Sequence, residues 1–245
     1  MGMMFRSFSR SATGLLLFLC GGLPVLSSCH EQGGEAGTPA EHPALRATAP
    51  APEGPVLERA YRYDHLSDVC RYVLYFHRTR RSPEDTDDEW RLAVYDARTG
   101  ALRDSFTQRC TGPLFYDTVP TPGHVRSFIT GVNQEKEALD NDYGDLVVAD
   151  LNFDGREDVA LKTNEGGTSG SYYTYFLQGG TGRFEKSDYL TDSVSLFPGT
   201  IDARRKRLIT FGHAGACGVG EHRYRYHPAT RSYRKEAYRY HDICK

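Results

Sequence analysis

A nine-residue loop, residues 150–158, constrains the fold of this chain more than any other segment. It offers oxygen ligands at alternating positions, from side chains or the main chain: Asp150, Asn152, Asp154, Arg156 and Asp158. Gly155 stands where such a loop must turn, and Ca²⁺ takes six to eight oxygens in this kind of wrapping. The flanking residues 146–149 and 159–161 are apolar and predict strands, whereas an EF-hand has helices there. The loop therefore predicts a Ca²⁺ site in an extracytoplasmic β-protein. The alternative is a polar hairpin turn that binds no ion.

The N-terminus predicts export and lipid attachment. Arg6 and Arg10 precede an apolar stretch, residues 14–26, that is too short to span a bilayer as a permanent helix. It ends in Leu-Ser-Ser-Cys29, which resembles the bacterial lipobox, in which the cysteine is acylated after cleavage. We therefore expect residues 1–28 to be a lipoprotein signal peptide and Cys29 to be lipidated. An ordinary secretory signal is the alternative, and it also exports the protein.

The composition changes after Cys29. Residues 29–55 are rich in Gly, Ala, Pro and Glu and poor in large apolar side chains. Such a segment cannot bury enough surface to offset the entropy of ordering, so we predict a disordered tether. Residues 56–245 are then expected to form a single domain.

Cysteine usage agrees with an oxidising compartment. Of the six cysteines, Cys20 lies in the signal segment and Cys29 is the predicted lipid site. The remaining four allow two disulfides in three possible pairings. We favour Cys70–Cys110 and Cys217–Cys244, because each pair falls within neighbouring predicted hairpins.

The remainder of the chain predicts an all-β fold. Short segments rich in aromatic and β-branched residues are separated by polar turns. Four hairpins are predicted, at residues 94–102, 176–184, 201–208 and 226–233. Only residues 134–140 have helical character. Repeated antiparallel hairpins of this kind predict either a small β-propeller-like array or a closed meander.

Charge is segregated along the sequence. Residues 135–158 carry nine acidic side chains against two basic ones, and residues 204–245 carry eleven Lys and Arg against three acids. Tyrosine and arginine alternate within the basic segment. This pattern is typical of a strand with one packed and one solvated face, although a nucleic-acid or glycan surface has a similar pattern. We favour the two-faced strand and expect no nucleic-acid partner.

The sequence contains none of several common catalytic motifs. It has no His-Glu-x-x-His, no Gly-x-Ser-x-Gly and no phosphate-binding P-loop. Glycine-rich loops on an ordered scaffold without a nucleophile favour a binding protein, and we expect no enzymatic activity. A weaker alternative is an enzyme that uses acidic residues between 140 and 158.

Residues 146–240 resemble a known family. The Asp-x-Asn-x-Asp-Gly-x-x-Asp loop, a strand followed by a Gly-rich loop, and a Thr-Gly-x-Phe hairpin are similar to calcium-binding, β-propeller-like lipoproteins. In bacteria with a killing type IV secretion system, such lipoproteins inhibit lysozyme-type peptidoglycan hydrolases.

A second motif narrows this resemblance to one loop. Ser169-Gly170-Ser171-Tyr172 is similar to the Ser-Gly-x-Tyr motif with which periplasmic lysozyme inhibitors plug the catalytic cleft. The resemblance implies that Ser169 and Tyr172 hydrogen-bond the catalytic carboxylates of the hydrolase. Because neighbours on a strand face opposite ways, either Tyr172 or Tyr173 points outward.

These observations lead to two hypotheses of different classes. The first is a lipid-anchored periplasmic inhibitor, or immunity protein, that binds Ca²⁺ and inserts residues 164–173 into a peptidoglycan hydrolase. The second is a calcium-stabilised envelope module that binds a glycan or another protein without inhibiting it. Both place the protein in the periplasm, held by lipid to a bacterial membrane, with the outer membrane preferred.

Overall fold

A computed structural model describes residues 56–82, 85–111, 124–167 and 170–245. The predictions for residues 1–55, including lipidation at Cys29, and for Ser169 lie outside this part. Thirteen strands form three sheets. Their bounds are β1 Val56–Tyr63, β2 Cys70–Ser82, β3 Asp85–Asp96, β4 Leu102–Arg109, β5 Val125–Ser127, β6 Leu146–Ala149, β7 Asp158–Asn164, β8 Tyr172–Gln178, β9 Phe184–Lys186, β10 Thr200–Asp202, β11 Arg207–His213, β12 Gly218–His227 and β13 Ser232–Asp242.

The first and last sheets are antiparallel meanders. The first sheet has the order β1-β2-β3-β4, and the last sheet has the order β10-β11-β12-β13. The middle sheet has the order β5-β6-β7-β8-β9 and is mixed, because β5 pairs with β6 in parallel. Two short helical turns complete the described part, a 3₁₀ turn at Leu139–Asn141 and a π-helical turn at Tyr189–Val194.

The middle sheet is buried on both faces, and this arrangement organises the core. Leu146 and Val148 of β6 join the apolar cluster shared with the first sheet, in which Trp90 is fully buried. The alternate residues Val147 and Ala149 join a second cluster shared with the last sheet. Because successive side chains on a strand point to opposite faces, the continuous apolar run of β6 requires a layer on each side.

The all-β fold and its hairpins are confirmed. All four predicted hairpins are present, as the β3–β4, β8–β9, β10–β11 and β12–β13 connections. The three stacked sheets fit a meander, and no sheet closes into a barrel within the described residues. The helical character expected at residues 134–140 is reduced to the short turn at Leu139–Asn141.

One disulfide prediction is confirmed and the other is wrong. Cys217 and Cys244 are bonded, with a Cα–Cα distance of 5.2 Å. Cys70 and Cys110 are free thiols. Cys70 begins β2 and pairs with Asp96, whereas Cys110 follows the far end of β4, next to Asp88. In an antiparallel meander the start of one strand and the end of the second strand after it lie at opposite ends of the sheet.

Candidate functional site

The 150–158 loop has the local geometry of a tight oxygen-lined turn. The Asp154 N–H donates to Asp150 Oδ1 and to Asn152 Oδ1, both at 3.1 Å, and the Gly155 N–H donates to Asp150 Oδ2 at 3.0 Å. Gly155 has a φ of +80°, which glycine adopts without steric cost. The oxygens of Asp150 and Asn152 thus converge on the inside of one turn.

The predicted ligands have three different environments. Asp150 and Asn152 face the turn, while the Asp154 carboxylate pairs with the Arg156 guanidinium and accepts the Arg156 N–H at 2.9 Å. Asp158 is fully buried, and its carboxylate accepts N–H groups of Leu151, Asn152 and Gln178. Among the described residues, no group of three or more His, Cys, Asp or Glu side chains is arranged to hold a metal ion.

Burial has a strong effect on Asp158. It raises the pKa of this carboxyl to about 8, and the nearby carboxylates of Asp154 and Asp150 act in the same direction. The hydrogen bonds from the Gln178 and Leu151 amides oppose the shift. The structure therefore makes Asp158 the internal acceptor that closes the loop onto β8.

The 150–158 loop also joins all three sheets. Glu157 accepts hydrogen bonds from Ser67 Oγ at 2.8 Å and from the Tyr72 hydroxyl at 3.0 Å, both on the side of the first sheet. The Tyr233 hydroxyl of the last sheet donates to the Leu151 carbonyl. With Asp158 bonded to Gln178 of the middle sheet, the loop is a structural junction.

The candidate inhibitory loop lies at the opposite end of the same strand. The 150–158 loop precedes β7, and residues 164–173 follow it. Strand β7 runs from the last residue of the first loop, Asp158, to the first residue of the second, Asn164, a span of about 20 Å at roughly 3.3 Å per residue. The 150–158 loop can therefore stabilise the sheet that carries the inhibitory loop, but it does not contact that loop directly.

We call residues 166–170 the finger, and of these the structure describes Gly166, Gly167 and Gly170. Gly166 and Gly170 have φ angles of +66° and +89°. A Cβ on Gly166 would collide with the Gly170 carbonyl oxygen, and one on Gly170 would collide with the Asp140 carbonyl oxygen. Both positions therefore require glycine. Gly167 is exposed, whereas Gly170 is buried in the base of the finger.

The two adjacent tyrosines have different environments. Tyr173 is 1 % exposed, packs on Phe197, and its hydroxyl accepts the Tyr143 N–H at 2.9 Å. Its assignment to the inhibitory surface is therefore wrong. Tyr172 is half-buried beside Gly166, and its hydroxyl makes no hydrogen bond to any described residue. By contrast, the hydroxyl of the buried Tyr175 donates a hydrogen bond to the Leu196 carbonyl oxygen at 2.7 Å.

A cluster of charged residues supports the base of the finger. Lys162, on β7, is 1 % exposed and lies with its Nζ 3.1 Å from both Asp145 Oδ1 and Asp142 Oδ2. His124 Nδ1 lies 3.4 Å from Asp145 Oδ1. The same turn carries Asp140, whose carbonyl accepts the Ser171 N–H at 3.3 Å. The cluster therefore fixes the turn against which the finger packs.

The pKa shifts in this cluster have identifiable causes. Burial acts to lower the pKa of Lys162, but the Asp145 and Asp142 carboxylates more than offset it, so the net shift is upward. The hydrogen bond to Asp145 raises the pKa of His124. Burial raises the pKa of Glu165, which lies between β7 and the finger. Charged Lys162 thus depends on its two carboxylate neighbours.

One feature of the sequence, outside the motifs, indicates this cluster. Lys162 directly follows the apolar run 159–161 within one predicted strand. A lysine on a strand that is buried on both faces requires carboxylate partners. The partners themselves are not predictable from spacing, because they come from a turn seventeen and twenty residues earlier.

Comparison with known proteins gives limited results. No protein-family model matches the chain, and no curated protein sequence matches it. A solved structure described as a Xanthomonas type IV secretion system related protein is similar over 76 % of this chain and 83 % of that chain. The sequence identity is 14 % and the TM-score is 0.47. Values this low do not establish a common fold or function. No helix in the described residues is long and apolar enough to cross a membrane.

Proposed function

We propose that this chain is a lipid-anchored periplasmic inhibitor of a lysozyme-type peptidoglycan hydrolase. Its inhibitory element is the finger together with Tyr172. The protein performs no catalysis itself; it occupies the catalytic cleft of its partner and excludes the glycan. Cys29 anchors the protein to a bacterial membrane, preferentially the outer membrane. Residues 29–55 set how far the folded domain can extend from the membrane surface.

The hydroxyl of Tyr172 is the observation that carries this proposal. The ring of Tyr172 lies beside Gly166 at the base of the finger, and the hydroxyl has no hydrogen-bond partner among the described residues. Catalytic carboxylates of glycosidases accept hydrogen bonds from substrate and water, and a tyrosine hydroxyl can replace these donors. Because Gly166, Gly170 and the Asp140 turn fix the base, Tyr172 loses little freedom on binding.

Inhibition of purified enzymes tests the proposed function. The soluble domain, residues 56–245, is titrated into a panel of lysozyme-type muramidases acting on purified peptidoglycan. The proposal expects inhibition of at least one member at stoichiometric or low micromolar concentration. The absence of inhibition across the panel, at concentrations well above those of the enzymes, would contradict it.

We also propose that Ca²⁺ binds the 150–158 loop. The oxygens of Asp150, Asn152 and Asp154 and the carbonyl of Arg156 would hold the ion, whose chemistry here is structural. Asp154 would exchange its Arg156 guanidinium partner for the cation. Support comes from the converging oxygens of Asp150 and Asn152 and from the junction that the loop makes among the three sheets.

Calcium is therefore expected to raise the melting temperature. An ion that binds only the folded state stabilises it by about 2.7 kcal/mol at a concentration one hundred times its Kd. Differential scanning calorimetry should show a higher Tm in millimolar Ca²⁺ than in excess chelator. The Asp150→Ala variant should lose that difference, whereas the control Glu137→Ala, at an exposed acid outside the loop, should keep it. Equal Tm values for the wild-type protein with and without Ca²⁺ would contradict the site.

A glycan-binding module is the second candidate function, and the outer face of the first sheet favours it. A cavity of about 540 Å³ there is lined by Tyr75 and Arg91, whose guanidinium lies 4.0 Å from the Tyr75 ring centroid. Aromatic and guanidinium planes can stack on a sugar ring and pair with its carboxylate. Binding of soluble peptidoglycan fragments by a protein that inhibits no hydrolase would favour this function over the first.

A further inference from the structure

The finger alone is too small to account for a stable complex. Specific protein interfaces bury about 800 Å² on each partner, and an aromatic side chain contributes about 150–250 Å². The finger and Tyr172 together offer one tyrosine, three glycines, one threonine and one serine. A hydrolase that accepts it must therefore contact the surface beside it, and that surface has a distinctive composition.

Two exposed tyrosines occupy this neighbouring surface. Tyr238 and Tyr240 of β13 are 50 % and 54 % exposed, although both have large apolar rings. Their rings lie across glycines of β12: a Cβ on Gly220 would lie 2.9 Å from the Tyr238 ring, and one on Gly218 would collide with the Tyr240 ring. We call Tyr238 and Tyr240 the tyrosine ledge.

Tyr238 of the ledge has two neighbouring side chains, and a disulfide joins the ends of the two strands next to the ledge. The His222 ring lies 4.8 Å from the Tyr238 ring, and Lys235 Nζ lies 5.7 Å from the same ring. The Cys217–Cys244 disulfide joins the start of β12 to the segment that follows β13. Aromatic side chains that are fixed before binding lose little entropy in a complex, and such residues dominate binding energy.

The ledge is continuous with the finger. Tyr238 lines a cavity of about 430 Å³ together with Leu196 and His213. Leu196 forms a β-bridge with Tyr172. His213 Nε2 lies 3.7 Å from Asp140 Oδ1, in the turn against which Gly170 packs. A partner that receives the finger would therefore lie next to this cavity and to Tyr238.

The cavity also offers a cation to a partner. Lys235 lines it and is exposed. The His222 ring lines the cavity as well, but its Nδ1 is solvent-inaccessible and is not presented to a partner. An aromatic surface beside a cation suits a protein surface that carries carboxylates and small apolar side chains.

We infer that the tyrosine ledge and its adjacent cavity form a second contact site for the same hydrolase that the finger enters. This inference rests on the proposed inhibitory function. The ledge contacts the surface of the hydrolase at the rim of its catalytic cleft, while Tyr172 enters the cleft. The finger would block the active site, and contacts of the ledge would account for most of the slow dissociation of the complex.

The test uses the muramidase that wild-type protein inhibits. A Tyr238→Ala/Tyr240→Ala variant is expected to inhibit it at least tenfold more weakly, with the loss in the dissociation rate. Leu102→Ala is the matched control, because Leu102 is 57 % exposed on the first sheet at the end away from the finger. Both variants should melt within a few degrees of wild type.

Several outcomes separate the inference from the proposed function. If the double variant inhibits as strongly as wild type while Tyr172→Phe is weakened, the ledge is not a contact site and the inhibitory function stands. If wild type inhibits no muramidase, both are contradicted. If the double variant does not fold, hydrogen exchange on the wild-type complex decides. Protection of residues 236–243 supports the ledge, and unchanged exchange there overturns it.

Discussion

Replacing Asp145 with asparagine is expected to destabilise the domain strongly. Asp145 is 2 % exposed and lies 3.1 Å from the Nζ of Lys162, which is itself buried. Its removal leaves the buried Lys162 ammonium with Asp142 alone, and breaking a buried ion pair typically costs about 3–5 kcal/mol. The free energy of unfolding from urea denaturation should fall by about this amount.

Two comparisons show whether this loss comes from the ion pair. Asp68→Asn removes an exposed carboxylate that has no ion-pair partner among the described residues, and it should change stability by less than about 0.5 kcal/mol. Lys162→Met combined with Asp145→Asn should cost less than the sum of the single changes, because no lysine charge is then left uncompensated. A loss below about 1 kcal/mol for Asp145→Asn would contradict the structural role of the cluster.

Replacing Tyr172 with phenylalanine is expected to have the largest effect on inhibition. The change removes the hydroxyl and keeps the ring that packs beside Gly166. A hydrogen bond to a charged group is worth about 1.5–3 kcal/mol, which corresponds to roughly a 10- to 150-fold weaker inhibition constant. The inhibition constant is measured by titration against the most sensitive muramidase of the panel.

The matched control for this change is Tyr95→Phe. Tyr95 is also half-buried, but it lies on the first sheet, near the end where Cys70 pairs with Asp96. Removal of the Tyr95 hydroxyl should leave the inhibition constant unchanged. Equal weakening of inhibition by both variants would mean that the effect is not specific to the finger. If Tyr172→Phe inhibits as strongly as wild type, the Tyr172 hydroxyl has no role in inhibition.

The elements that local chemistry decides were predictable from the sequence. The β3–β4 hairpin is an example, because the Asp96 carboxylate accepts the Arg98 and Thr99 N–H groups at 3.0 Å and 2.7 Å, and Gly100 has a φ of +70°. Those interactions involve residues close in sequence, so the turn residues alone indicate them. The same reasoning located the 150–158 turn and the strands that flank it.

Features that depend on strand direction were harder to predict. Both disulfide predictions assumed that cysteines in neighbouring hairpins lie close together. Only the Cys217–Cys244 pairing, beside β12 and β13, was correct. Cys217 and Cys244 flank two adjacent antiparallel strands, whose start and end meet. Cys70 and Cys110 are separated by an intervening strand, which places them at opposite ends of the sheet. Counting the strands between the two cysteines would have excluded the Cys70–Cys110 pairing.

The functional end of the molecule required the three-dimensional arrangement. The motif Ser-Gly-x-Tyr gave the loop but left Tyr172 and Tyr173 as alternatives, and the packing of Tyr173 on Phe197 decides between them. The π-helical turn at Tyr189–Val194 has no sequence periodicity that predicts it. The junction of three sheets at Glu157 also depends on contacts with residues more than eighty positions away.

Steady-state inhibition kinetics test the central claim, that Tyr172 and the finger occupy the catalytic cleft of a peptidoglycan hydrolase. The rate of a sensitive muramidase is measured over a range of soluble peptidoglycan concentrations at several fixed concentrations of the inhibitor. Occupation of the cleft predicts competitive inhibition, with a rising apparent KM and an unchanged kcat. A lowered kcat at constant KM, or no inhibition at any substrate concentration, would contradict the claim.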